Sequence, residues 1–225
     1  MEFQLQIKMN DNLFLRNPEQ SELGKKIISK SIQLIDLHGF ESFTFRKLAI
    51  EIGTTEASVY RYFENKHRLL VYHISWYWSW LDFRVNFHTM HLTDPWVKLK
   101  KVVLLFVIVN QEDLKSDFID ITSLHRIIIA EGTKTYLTKH VSEDNKARLF
   151  KPYKDLCAMI GQIILECNNG YKYPRSLSST IIEMAHFQYF FRTNLPSLTD
   201  STTESAQEFI VHFLEDIVFS SLKKK

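Results

Sequence analysis

FTFRKLAIEIGTTEASVYRYFENKHRLL, residues 43–70, is the stretch whose reading decides the fold. Thr44 has the character of a helix N-cap, because its hydroxyl can accept from an orphan backbone N–H one turn in. Phe43 and Leu48 flank that cap at hydrophobic-staple spacing. Leu48, Ala49 and Ile52 then share one helical face, and Gly53 follows where a helix stop wants positive φ. Thr54-Thr55 offers a second cap. Val59 and Phe63 face inward from the next short helix, and Asn65 caps a third that begins at Lys66.

A helix, a glycine turn and a short helix with small polar residues at its start form a helix-turn-helix layout. The second helix of such a unit enters the DNA major groove, and its first residues meet the base edges. Here those residues are Glu56, Ala57 and Ser58, small enough in two cases to let the backbone come close. Tyr60, Arg61, Tyr62 and Lys66 come next, with tips that can reach phosphates and position the protein without reading sequence.

The order T-F-R-K-L-A-x-x-x-G-x-T-x-x-S-V-Y-R-Y-F-x-N-K-x-x-L-L resembles the DNA-binding domain of TetR-like (tetracycline-repressor-type) transcription regulators. The turn glycine, the Y-x-Y-F block and the N-K after it match together at the right spacing. The resemblance covers residues 20–70 or so, under a quarter of the chain. It implies DNA-contacting roles for Thr44, Arg46, Thr55, Ser58, Tyr60, Tyr62 and Lys66. Glu56 departs from it, since lysine, arginine or a small polar residue often follows the cap. A carboxylate there either accepts from a cytosine amino group or points away from the phosphates.

Bulk charge does not argue for nucleic acid: the chain has 225 residues and a formal net charge of +2. Any basic surface must be local. Six glycines and five prolines against seventeen phenylalanines favour helices with short connections. Cys157 and Cys167 lie on one expected helix, about 15 Å apart along its axis and too far for a disulfide. Free thiols in a reducing cytoplasm are the plain reading, with a redox sensor as the alternative. No signal peptide is evident, and the apolar run Val102–Val109 is too short to span a bilayer.

Outward from the motif, residues 3–15 alternate apolar and polar around Asn10-Asp11-Asn12, which predicts a small β-hairpin or a disordered arm. Asn17-Pro18 is expected to open the first helix, whose stripe Ile27, Ile28, Ser31, Ile32, Leu34, Ile35 lasts to Gly39. A long helix from Lys66 to about Met90 carries Trp76, Trp80, Phe83 and Phe87 on one face. Further helices are expected over Trp96–Asn110, Ser116–Ala130, 133–141, a run from Ser142 kinked or split by Pro152, Leu177–Leu195 and Thr203–Leu222.

No phosphate loop, nucleophile elbow or zinc-protease signature occurs. His88-x-x-His91-x-x-Asp94 has metal-ligand spacing but reads better as solvated helix-end histidines, with no metal or cofactor expected. His125 and His186 lie in apolar runs, where a satisfied core histidine competes with a ligand contact.

The chain therefore reads as all-α and not an enzyme, with an N-terminal arm (1–16), a DNA-binding domain (17–66) and a helical ligand-binding and dimerisation domain (67–225). The resemblance implies a cytoplasmic homodimer on a palindromic operator in double-stranded DNA, repressing transcription until a small molecule releases it, with no membrane partner. The alternative is an all-helical carrier or enzyme for apolar molecules with a vestigial head. An apolar effector is expected near Trp80, Phe83, Phe87 and His125, with Tyr153 and His186 adding polar groups, unless these rings simply fill a core. Phe187, Phe190, Phe191, Phe209, Phe213 and Ile217 give the last two helices enough apolar surface for a dimer interface.

Overall fold

The computed structural model describes residues 7–109, 116–201 and 205–223. Among these, ten α-helices and four short 3-10 turns occur and no strand. The helices are α1 (Glu22–Ser42), α2 (Phe45–Glu51), α3 (Glu56–Tyr60), α4 (Lys66–Thr89), α5 (Pro95–Val107), α6 (Ile121–Glu131), α7 (Val141–Lys146), α8 (Lys151–Cys167), α9 (Pro174–Asn194) and α10 (Ala206–Leu222). They divide into two compact units, Met1–Trp80 with Asn110–Pro152, and Leu81–Val109 with Tyr153–Lys225. The boundary expected at residue 66 marks the start of α4, whereas the units divide within that helix.

In the first unit the α1 stripe Ile27, Ile28, Ile32 and Ile35 is buried as its period requires. Ser31 on the same face is satisfied by His73 of α4, Oγ to Nε2 at 2.8 Å. Segment 121–149 is tied to α1 and α4 by polar contacts. Arg126 binds Asp36 with two parallel bonds of 2.9 and 2.6 Å. The Phe40 N–H donates to the buried Glu131 carboxylate at 3.0 Å, and Lys134 bridges Glu131 and Glu41 at 2.8 and 2.9 Å. Arg68 meets Asp144 at 3.1 Å, and Ser75 donates to the Leu149 carbonyl at 2.9 Å.

In the second unit α5, α9 and α10 pack on one another. Their core is built from Leu99, Val102, Val103 and Phe106 of α5, Ile181, Ile182 and Ala185 of α9, and Ile210, Leu214 and Val218 of α10. Arg84 is buried with them and donates to the Leu105 carbonyl at 2.8 Å. The Asn168 amide reaches the Leu222 carbonyl and holds the end of α10.

Several expectations need correcting. Residues 7–15 form no strand: Asp11–Leu13 is a 3-10 turn capped by Asn10, and Leu13 and Met9 go inward. The rest of the hairpin expected over 3–15 lies outside the described residues. Pro18 opens a 3-10 turn rather than α1, which starts after its own cap, Ser21, whose hydroxyl accepts from the Gly24 N–H. A Cβ at residue 24 would sit 2.1 Å from the Pro18 carbonyl oxygen, so only glycine admits this doubling back. α6 begins later than Ser116, because Asp120 accepts from the Thr122 and Ser123 N–H groups. Pro152 splits its run, as α7 ends and α8 begins just before it. The two cysteines are unpaired on α8, and burial pushes both thiols up to about 11, which disfavours the reactive thiolate.

Burial depresses His73 to about 3 and His186 to about 4, against 6.5 for the free side chain. Both are neutral when folded and charge when the unfolded chain is exposed below pH 6.5. The unfolded state then binds more protons, so stability must fall with acidification. Urea melts between pH 6.5 and 4.5 are expected to lose about 1.4 kcal/mol per pH unit for each histidine at the steepest. A flat profile would contradict the burial of these two rings.

Candidate nucleic-acid interface

The motif folds for local reasons that the structure makes explicit. Thr44 accepts from the Lys47 N–H at 3.2 Å and caps α2. Phe43 and Leu48, on either side of that cap, are both buried. α2 ends in a turn where Gly53 has φ of +66° and the Thr54 N–H returns to the Ala49 carbonyl at 2.9 Å. A side chain at 53 would be strained in that conformation, although open space surrounds it. Thr55 accepts from the Ser58 N–H at 3.2 Å, and the two hydroxyls are 2.9 Å apart. α3 is only five residues long, and Val59 with the following Phe63 pins its inner side.

The outer side of this pair presents Arg46, Thr55, Glu56, Ala57, Tyr60 and Arg61, all exposed, with Ser58 half-buried behind them. Tyr60 leans edge-on against Phe45, ring centroids 4.9 Å apart, and remains 46% exposed. Groups able to read bases and groups able to hold phosphate therefore share one exposed face, with the α3 N-terminus at its centre.

Two residues expected on that face have other tasks. Tyr62 is 2% exposed; its hydroxyl bonds Ser21 Oγ at 2.8 Å and Arg16 lies 5.3 Å over its ring. Lys66 spends its three ammonium protons on the carbonyls of Phe40, Glu41 and Phe43, at 3.0, 3.1 and 3.2 Å. It thus ties the start of α4 to the end of α1 instead of reaching for phosphate. The partnership needs a tertiary contact across more than twenty residues, so no local signal announced it. The same holds for Ser21 as the partner of Tyr62.

The expected effector residues are not gathered in one unit. Trp80 and His125 belong to the first, where Trp80 is fully buried and His125 Nδ1 is 2.7 Å from the Tyr77 hydroxyl. Phe83, Phe87, Tyr153 and His186 belong to the second. Phe83 and Phe87 do not continue the buried stripe of Trp76 and Trp80: they stack on each other while 42% and 53% exposed. The Tyr153 hydroxyl donates to Glu183 at 2.8 Å. Two clefts are lined by other residues, one of 440 Å³ by Ser29 and residues 116–121, and one of 480 Å³ beside His88 and His91. No group of three metal-ligating side chains occurs among the described residues. Asp94, third in the histidine run, instead caps α5 through the Trp96 N–H at 2.8 Å.

Residues 27–72 match the sequence model of the family described as bacterial regulatory proteins, tetR family. The head is similar to the DNA-binding segment of that family. The match runs from α1 into α4 and takes in every element of the exposed face just described. A search of curated proteins gave no match. Among solved structures, the whole fold is similar to a transcriptional regulator from Rhodococcus sp. Rha1, at TM-score 0.65 and 12% identity, covering 92% of this chain and 96% of that one. It is also similar to FadR from Bacillus halodurans, called a fatty acid degradation regulator, at TM-score 0.59 and 18% identity over 86% and 92% of the two chains. A third is AibR, solved with isovaleryl coenzyme A and operator DNA, at TM-score 0.60 and 14% identity over 87% and 98%. No helix among the described residues is long and apolar enough to cross a membrane.

The two lysine and arginine roles separate experimentally. Arg46→Ala is expected to weaken binding about equally on all DNA and to lower the salt slope by about 0.9. Lys66→Met should instead lower the unfolding free energy of the head by about 1–3 kcal/mol, by leaving carbonyls unpaired. A Lys66→Met protein of unchanged stability but reduced salt slope would reverse this assignment.

Proposed function

We propose that this TetR-type regulator works in the cytoplasm as a homodimer, binds a palindromic operator through α3, represses transcription, and lets go when a small molecule enters its second unit. The DNA-binding part is assigned to residues 17–66 and the responsive and dimerising part to 67–225. The observation that carries the reading is the exposed α3, capped by Thr55, with Glu56, Ala57 and Ser58 in its first turn. Glu56 is assigned to a cytosine amino group, Ser58 to a neighbouring base edge, and Arg46, Tyr60 and Arg61 to phosphates. AibR, with its acyl-coenzyme A and operator, supports the pairing of a ligand unit with a DNA-binding head in this fold.

The dimer face is placed on the outer sides of α9 and α10. Phe187 and Phe191 stack at 5.8 Å, and Phe209 and Phe213 at 6.0 Å, with Phe187 40% exposed and Phe190 and Ile217 half-buried. Helices that pack on each other through Ile182, Leu214 and Val218 do not need these rings for their own core. A symmetric dimer also supplies the two heads that a palindrome requires.

Selection of bound duplexes from a random pool tests the DNA assignment. A palindromic, salt-sensitive site is expected, with Glu56→Ala changing the preferred bases and Arg46→Ala changing none of them. Indifference to every duplex would favour a helical carrier with a vestigial head. Sedimentation at micromolar concentration is expected to give a dimer, and Phe187→Asp with Phe213→Asp a monomer. A wild-type monomer would defeat both the interface and the palindrome.

A further inference from the structure

The cleft of 480 Å³ lies wholly within the second unit, walled by the end of α4, by α5 and by α10. Its volume is in the range of small-molecule sites, about 300–1,000 Å³. α5 presents Val97, Lys100, Lys101 and Leu104 to it, spaced i, i+3, i+4 and i+7 and therefore on a single helical face. His88 and His91, with Leu92 between α4 and α5, form the facing wall.

The charges in this cleft do not cancel. Glu215 is its one lining carboxylate and lies 3.6 Å from Lys100, whose ammonium also sits 5.6 Å over the Phe219 ring. Lys98, one residue outside the cleft lining, is matched by Glu166 at 3.7 Å. Lys101 is half-buried and has no ion-pair partner among the described residues. A half-buried lysine beside two imidazoles, with aliphatic side chains in the same cleft, matches an anion that carries a hydrocarbon tail.

We propose that this cleft binds an anionic amphiphile, a carboxylate or phosphate head against Lys101 and His91 and an aliphatic tail along Leu92, Val97 and Leu104. The site deepens the small-molecule half of the proposed function by naming its ligand class, and it is read out without DNA. Failure here therefore leaves the operator assignment standing, and failure of DNA binding leaves this site standing.

Isothermal titration of the full chain with decanoate, decyl phosphate, decanol and acetate separates the contributions. One or both anionic decyl compounds are expected to bind one per chain, and which of them binds tighter identifies the head group. Decanol and acetate, each lacking one half, are expected to bind at least about tenfold more weakly. Lys101→Met, which keeps the stem and removes the charge, is expected to weaken the anionic probe about tenfold, a typical loss for one charge-assisted bond. Lys98→Met, outside the lining, should bind like wild type, and Val97→Glu should weaken both decyl anions through the tail. Decanol as tight as decanoate and decyl phosphate, unchanged affinity in Lys101→Met and Val97→Glu, or no binding by either decyl anion would each overturn the proposal.

Discussion

The segment Phe40–Phe43, where α1 gives way to α2, is held from two sides by opposite charges. Helix termini leave backbone groups unpaired, and a buried one costs about 1–3 kcal/mol. Here the Lys66 ammonium takes three carbonyls and the Glu131 carboxylate takes the Phe40 N–H. Gly39, at φ of +76°, lets the chain bend there. Because Lys66 begins α4 and Glu131 ends α6, one short segment sets where both helices stand relative to the helix-turn-helix pair. The first unit is thereby a single packed body, in which the DNA-binding head and residues 121–149 share a core.

That arrangement explains how a helix of five residues can serve as a recognition element. Isolated helices of such length are unstable in water. α3 persists because Thr55 caps its start, Gly53 sets its approach, and Val59 and Phe63 lock it to the buried side of α2 and α4. Beyond the Thr55–Ser58 contact and the packing of Tyr60 on Phe45, its outward residues carry no structural duty. Tyr62 and Lys66 sit one turn away and are wholly committed to the frame. The distinction between reading residues and framing residues thus falls within a few positions of one another.

The second unit follows a different economy. Its core is largely aliphatic, with Phe106 enclosed, and closes between α5, α9 and α10, while Phe83 with Phe87, Phe187 with Phe191 and Phe209 with Phe213 form stacked pairs on partly exposed faces. Apolar rings left outside a completed core form contiguous apolar surface rather than packing. The charged cleft on the α5 side contrasts with these faces, since its lysines and histidines converge on a concave wall.

Sequence alone determined the helix-turn-helix unit, because caps, a positive-φ glycine and a hydrophobic staple are local devices whose spacing is visible in a single stretch. It determined the all-α class for a similar reason: helical periodicity and scarce glycine and proline act residue by residue. It also separated most of the later helices, as the split at Pro152 illustrates. Tertiary structure alone decided what the long polar side chains do. Lys66 is indistinguishable from a phosphate-binding lysine until three carbonyls from residues 40–43 are brought within 3.2 Å of it. The aromatic stripe of α4 shows the same limit, since one period runs through Trp80 and Phe83 while burial stops between them. A helix's periodicity says which side chains share a face, but only the neighbours that pack on that face decide how far along it the core extends.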